Sequence, residues 1–166
     1  MRSNLKMQTL LERFGLDTSK LLLSSSGAQA PRLEKVDDCV FLEQELRRSR
    51  GVALNQFPDR TGMECFVNHV HFQIGRSKRA LEQVFGYVAA LSESLKGLHD
   101  GSFQIILTVS NGVCIVRFHK CRQGEEWLAN DLEGYKAEAI FVLTVQPADS
   151  ETCASPKLHR AMVPQG

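Results

Sequence analysis

Apolar residues recur at steps of three and four along one stretch of the chain: Leu81, Val84, Phe85, Val88, Leu91 and Leu95. That spacing predicts a long amphipathic helix whose broad stripe must be covered by something. Ser77 stands in N-cap position before it and Gly97 closes it. The pattern then changes period. Residues 103–109 and 113–120 are rich in β-formers and joined by Ser110-Asn111-Gly112, and Asn-Gly is the strongest short hairpin signal. Residues 138–145 supply a further strand. Residues 63–74 also read as a strand, with Phe66, Val70, Phe72 and Ile74 on one face and Cys65, Val67, His69 and His71 on the other. Residues 57–62 read as the turn before it.

Toward the N-terminus, Met7, Leu10, Leu11 and Phe14 share a helical face, and Gly15 is a natural stop. Asp37 and Asp38 are expected to open a second helix that closes on Arg47, Arg48 and Arg50, with a strand over residues 39–42 as the competing reading. The expected fold class is α+β: one domain over residues 1–146, with a mostly antiparallel four-stranded sheet. The long helix packs on one face and the additional helices are N-terminal. Residues 24–31 are small, polar and end in proline, so they read as an exposed loop or linker; residues 147–166 read as a frayed or disordered tail.

Composition narrows the function classes. Hydrophobic residues make up 43% and charged residues 23%, as in ordinary globular proteins, and the formal net charge of +1 gives no bulk attraction to nucleic acid. No apolar run approaches the roughly 20 residues of a membrane helix. The first residues lack the apolar core of a secretory signal, so a cytoplasmic location is expected. Five cysteines, odd in number and without a CxxC pair, fit a reducing compartment, with Cys65 and Cys114 expected to be buried and inert.

Two groups of residues could carry chemistry. His69 and His71 share a strand face, and so do His119 and Cys121 if that strand continues; were the two strands neighbours in register, four nitrogen and sulfur ligands suited to zinc could converge. That is the alternative reading, a zinc-binding protein or metalloenzyme. The preferred reading has no catalytic residues, no metal and no cofactor, since no nucleophile elbow or phosphate loop is present. It rests on the segment 124–135, which holds the only tryptophan, Trp127, with Tyr135 and the acids Glu125, Glu126, Asp131 and Glu133. Tryptophan and tyrosine bury large areas at low entropic cost, and surrounding acids recruit a basic partner, so these six are the expected protein-binding residues.

Over residues 36–145, and chiefly from Arg117-Phe118-His119 through Gly134-Tyr135, the chain resembles the immunity proteins of bacterial contact-dependent inhibition and related polymorphic toxin systems. The resemblance implies a non-catalytic cytoplasmic inhibitor that neutralises a cognate toxin domain by forming a tight complex. Trp127 and Tyr135 would then be the buried anchors, and the four acids would pair with lysine or arginine of the toxin.

Overall fold

The computed structural model describes residues 1–23 and 29–148. Its elements run β1 (Arg2–Ser3), α1 (Leu5–Phe14), α2 (Thr18–Leu23), β2 (Leu33–Val36), β3 (Cys39–Leu42), α3 (Glu43–Arg48), α4 (Arg60–Val67), β4 (His69–Gln73), α5 (Lys78–Lys96), β5 (Phe103–Ser110), β6 (Val113–Lys120) and β7 (Ala139–Val145). The α+β class holds, and every strand pairing is antiparallel. The sheet, however, has five strands in the order β1-β7-β5-β6-β4, and a separate two-stranded ribbon joins β2 to β3. The added strand, β1, is two residues long, too short to leave a periodic signal.

Helix α5 runs as its spacing requires. The Ser77 side chain accepts a hydrogen bond from the Ala80 amide, and all six stripe residues are buried. They lie against one face of the sheet, which presents Val70 and Phe72 from β4, Cys114, Val116 and Phe118 from β6, Ile105 and Leu107 from β5, and Phe141 from β7. Burying a side chain of this size contributes about 1.5–3 kcal/mol, so the layer between α5 and the sheet dominates stability. Helix α1 adds Met7 and Leu11 to the same layer. Asn4 caps that helix through the Met7 amide, and Gly15 closes it in the left-handed region.

Two expectations are corrected. Asp37 and Asp38 open no helix: they form the turn between β2 and β3, with Asp37 at φ 51°, a conformation aspartate tolerates better than most residues. The competing strand at Cys39–Leu42 is the one that forms, and the helix that follows is the short α3. Residues 63–74 are likewise not one strand. Asp59 caps a helix through the Gly62 amide at 2.7 Å, and the chain becomes β4 only after Asn68. Val70, Phe72 and Ile74 do face the core, whereas Phe66 lies on the helical part and is 50% exposed. Of the expected loop at 24–31, residues 29–31 are irregular; the rest of it, and of the expected tail all but Pro147 and Ala148, fall outside the described residues.

The β5–β6 hairpin turns on Asn111 and Gly112, at φ 51° and 76°, the pair of positive values a type I′ turn needs. A Cβ on Gly112 would sit 3.1 Å from the Gly75 backbone. The Gly112 carbonyl also accepts from the amides of Ile74 and Gly75, tying the turn to the end of β4. Gly112→Val should therefore cost about 1–3 kcal/mol of backbone strain, beyond any steric term; an unchanged urea midpoint would show that the turn rearranges freely.

Candidate functional site

The sheet's second face is assembled from polar and apolar residues in register. Across it run Val142, Ile106, Arg117 and His69, and in the flanking rows lie Thr144, Gln104 and His119 on one side and Ile140, Thr108, Ile115 and His71 on the other. Ile106, Ile140 and Val142 are covered by Leu128, Leu132 and Tyr135 of the excursion between β6 and β7. Over the β6 side lies α4.

The centre of this second layer is a buried ion pair that periodicity does not reveal. Glu64, on α4, is completely buried. Its carboxylate meets Arg122 in a two-pronged contact, Oε2 to Nη1 at 2.7 Å and Oε1 to Nη2 at 3.2 Å. Oε1 also accepts from the Val40 amide at 2.8 Å, and Oε2 from the Lys120 amide at 3.0 Å. Asn68, one helical turn further on, accepts from the Leu42 amide at 2.9 Å and donates to the carbonyls of Val40 and Phe118 at 2.8 and 3.3 Å. Among the described residues strand β3 thus has no partner strand on this side. Glu64 of α4 and Asn68, the residue that caps that helix, satisfy its backbone and bridge it to the end of β6.

Around the pair lies a partly exposed network. Asp38 accepts from Lys120 at 2.7 Å and from Arg122 Nε at 3.1 Å, and hydrogen bonds from these two cations hold its carboxyl at about 2. Asp100 joins Lys120 and Lys35, and hydrogen bonds from Lys35 and Lys120 hold it below the usual carboxylate range.

The excursion is held at both ends. Glu125 accepts from the Thr61 amide at 2.9 Å, adding a second carboxylate to the positive end of α4. Asp131 accepts from the Glu133 amide, Glu133 accepts from the Leu5 amide at the start of α1, and the Tyr135 hydroxyl accepts from the Ala129 amide. Arg2 donates to the Asn130 carbonyl and Lys6 to the carbonyls of Lys136 and Ala137. Of the six expected binding residues, Glu125, Glu126 and Trp127 share one small cavity of about 140 Å³. Asp131, Glu133 and Tyr135 stand apart from it, against the N-terminal helix and the loop itself. Trp127 is 40% exposed, and Glu126 carries no intramolecular bond among the described residues.

His69, His71, His119 and Cys121 are not brought together as the zinc alternative requires. The rings of His69 and His71 stack edge-on at 5.2 Å, and His69 Nδ1 meets the Phe66 carbonyl. His119 lies two residues beyond the last residue that β4 pairs, and its Nδ1 donates to the Lys120 carbonyl at 3.0 Å. Among the described residues no group of three or more histidines, cysteines or acids is placed to hold a metal ion. The thiols of Cys39, Cys65 and Cys114 are free and buried, and burial pushes all three up, Cys39 to about 11 and Cys114 to about 12. A raised thiol is a weak nucleophile, as expected for Cys65 and Cys114.

A model of the Uncharacterized protein PM0498 family matches residues 2–155, and the chain belongs to that family. No curated protein and no solved structure matches it. Among the described residues no helix is long and apolar enough to cross a membrane.

Removing Glu64 strips Arg122 of a buried counter-charge and leaves two strand amides unbonded. Glu64→Ala should lower stability by about 3–5 kcal/mol in urea denaturation, the range for halving a buried pair. A loss below about 1 kcal/mol would mean that β2 and β3 are held by other contacts. The buried His119 supplies a pH signature. Desolvation holds its imidazole below the ordinary 6.5. A group depressed in this way favours the fold above its unfolded pKa, and that contribution is lost as pH falls below 6.5 toward the folded value. Asp38 titrates far lower, near 2, and leaves this window clear. The thermal midpoint of the wild type should drop between about pH 7 and about pH 5 more steeply than that of His119→Gln; parallel profiles would remove His119 from the account.

Proposed function

We propose that this chain is a non-catalytic binding protein of the cytoplasm, an immunity protein that holds a toxin domain in an inactive complex. The observation that carries the reading is Trp127: 40% exposed, on a loop whose ends are fastened to α4 and α1. A large aromatic on a loop ordered before binding loses little entropy on association, which is what an anchor residue needs. The carboxylates of the excursion divide by duty. Glu125 is committed to the N-terminus of α4, Asp131 accepts the local Glu133 amide, and Glu133 accepts the distant Leu5 amide at the start of α1. Glu126 is the acid left to meet a basic partner. The resemblance to toxin-neutralising proteins supplies the class of partner, and the preformed face supports a tight, rigid complex.

The test uses candidate toxin domains encoded beside the protein. Trp127→Ala should weaken the complex by at least about 2 kcal/mol, roughly thirtyfold, with the circular dichroism spectrum and melting curve preserved. Glu126→Lys should chiefly slow association and flatten its salt dependence. Unaltered affinity in Trp127→Ala would move the interface elsewhere, and loss of the fold would make Trp127 part of the scaffold.

A further inference from the structure

Beside Trp127 the second face of the sheet opens into a recess of about 220 Å³, lined by Cys65, Phe66, His69, His71, Arg117 and Trp127. It exists because its two covers stop short of each other: α4 lies over one side and the excursion over the other, each leaving a large exposed aromatic, Phe66 and Trp127, at the rim. Phe66 continues into a ring cluster, 5.2 Å from Phe57 and 6.1 Å from His69. Arg117 is the strand residue at the floor, with the fully buried Ile106 opposite it on β5 and His69 opposite it on β4.

Arg117 is half-buried, yet its guanidinium makes no ion pair or hydrogen bond among the described residues. Other partly covered cations nearby are matched: Arg122 by Glu64 and Asp38, Lys120 by Asp38 and Asp100. No acid lines the recess. An unmatched guanidinium in aromatic surroundings loses hydration without compensation, and a planar fork of donors fits one carboxylate best.

The geometry points to a carboxylate-binding recess in which Arg117 takes an aspartate or glutamate side chain of the protein partner, its aliphatic stem lying between Phe66 and Trp127. The inference deepens the binding-protein reading and rests on it. It makes the interface two-signed, an acidic rim at Glu126 beside a cationic pocket. A phosphate dianion fits less well, because one guanidinium answers only part of its charge and no lysine or second arginine lines the recess.

The single tryptophan makes its indole resonance an unambiguous reporter of this recess. The full chain is titrated with acetyl-Leu-Asp-amide, with the uncharged acetyl-Leu-Asn-amide, and with inorganic phosphate, following the Trp127 indole and the His69 and His71 ring signals. The aspartyl peptide should give saturable shifts with affinity about tenfold above the asparaginyl one. Arg117→Gln should abolish that difference, and Arg117→Lys should retain part of it. An unshifted melting curve confirms that each variant folds, and a variant that does not fold leaves the decision to the peptide pair on the wild type. Equal response to the two peptides, a preference that survives Arg117→Gln, or tighter binding of phosphate would each overturn the inference. No partner is needed, so failure here is separable from failure of the Trp127 anchor, which is read only in the complex.

Discussion

The contact between Glu64 and Arg122 holds three pieces of chain that have little other reason to meet. The β2–β3 ribbon is four residues a side, too small to persist alone. Strand β3 nevertheless lies buried, and a buried strand edge demands partners for its amides and carbonyls. Glu64 and Asn68 supply them from the side. A carboxylate in that place is tolerable only with a matching cation, because isolating a charge in a protein interior costs several kcal/mol. Arg122 meets the requirement, and it also fixes where the chain leaves β6. The excursion therefore starts from a point set by α4, and Glu125 returns to α4 three residues later.

The two faces of the sheet are consequently built on different physics. The α5 face is a continuous apolar layer and would accept many sequences of equal volume. The other face is held by directed bonds centred on Glu64, Asn68, Arg122 and Glu125, while the buried His119 Nε2 and Thr61 Oγ1 have no partner among the described residues. Directed bonding stabilises less per contact than burial, but it positions more sharply, and positioning is what a binding surface requires. Phe66 and Trp127 stand at the rim of one recess because the elements that carry them are fastened to each other through Thr61 and Glu125.

How much of this was legible in the residues follows from which physics is at work. The stripe of α5, its Ser77 cap and the Asn111-Gly112 turn are local signals, and each appears where its spacing places it. Residues 63–74 misled because α4 inverts the amphipathic rule: Glu64 points inward and Phe66 outward. A carboxylate amid apolar residues reads as a solvent face, and only its distant partner at 122 makes burial possible. Asp37-Asp38 resembled a helix opening because acids favour that position, yet they also suit tight turns, and the β3 segment behind them decided between the two. In the excursion, Trp127 could be singled out from composition alone. Arg117, Phe66 and the division of duties among Glu125, Asp131 and Glu133 could not, since each depends on a register or a long-range bond.

That division bears on specificity. Had all four acids of the excursion been free to swing, any basic surface could pair with them, and selectivity would have to come from shape. Amide hydrogen bonds leave Glu125, Asp131 and Glu133 their charge but fix their positions, so Glu126 is the acid free to form a close pair and the unmatched Arg117 weighs more. A basic partner lacking an acid at the right place would bury that guanidinium against nothing, a penalty that grows as the recess is desolvated. A partner presenting both a cation for Glu126 and a carboxylate for Arg117 escapes it. Discrimination on this surface would thus come from the unanswered charge as much as from the aromatic anchor, and it would do so without asking the fold to move.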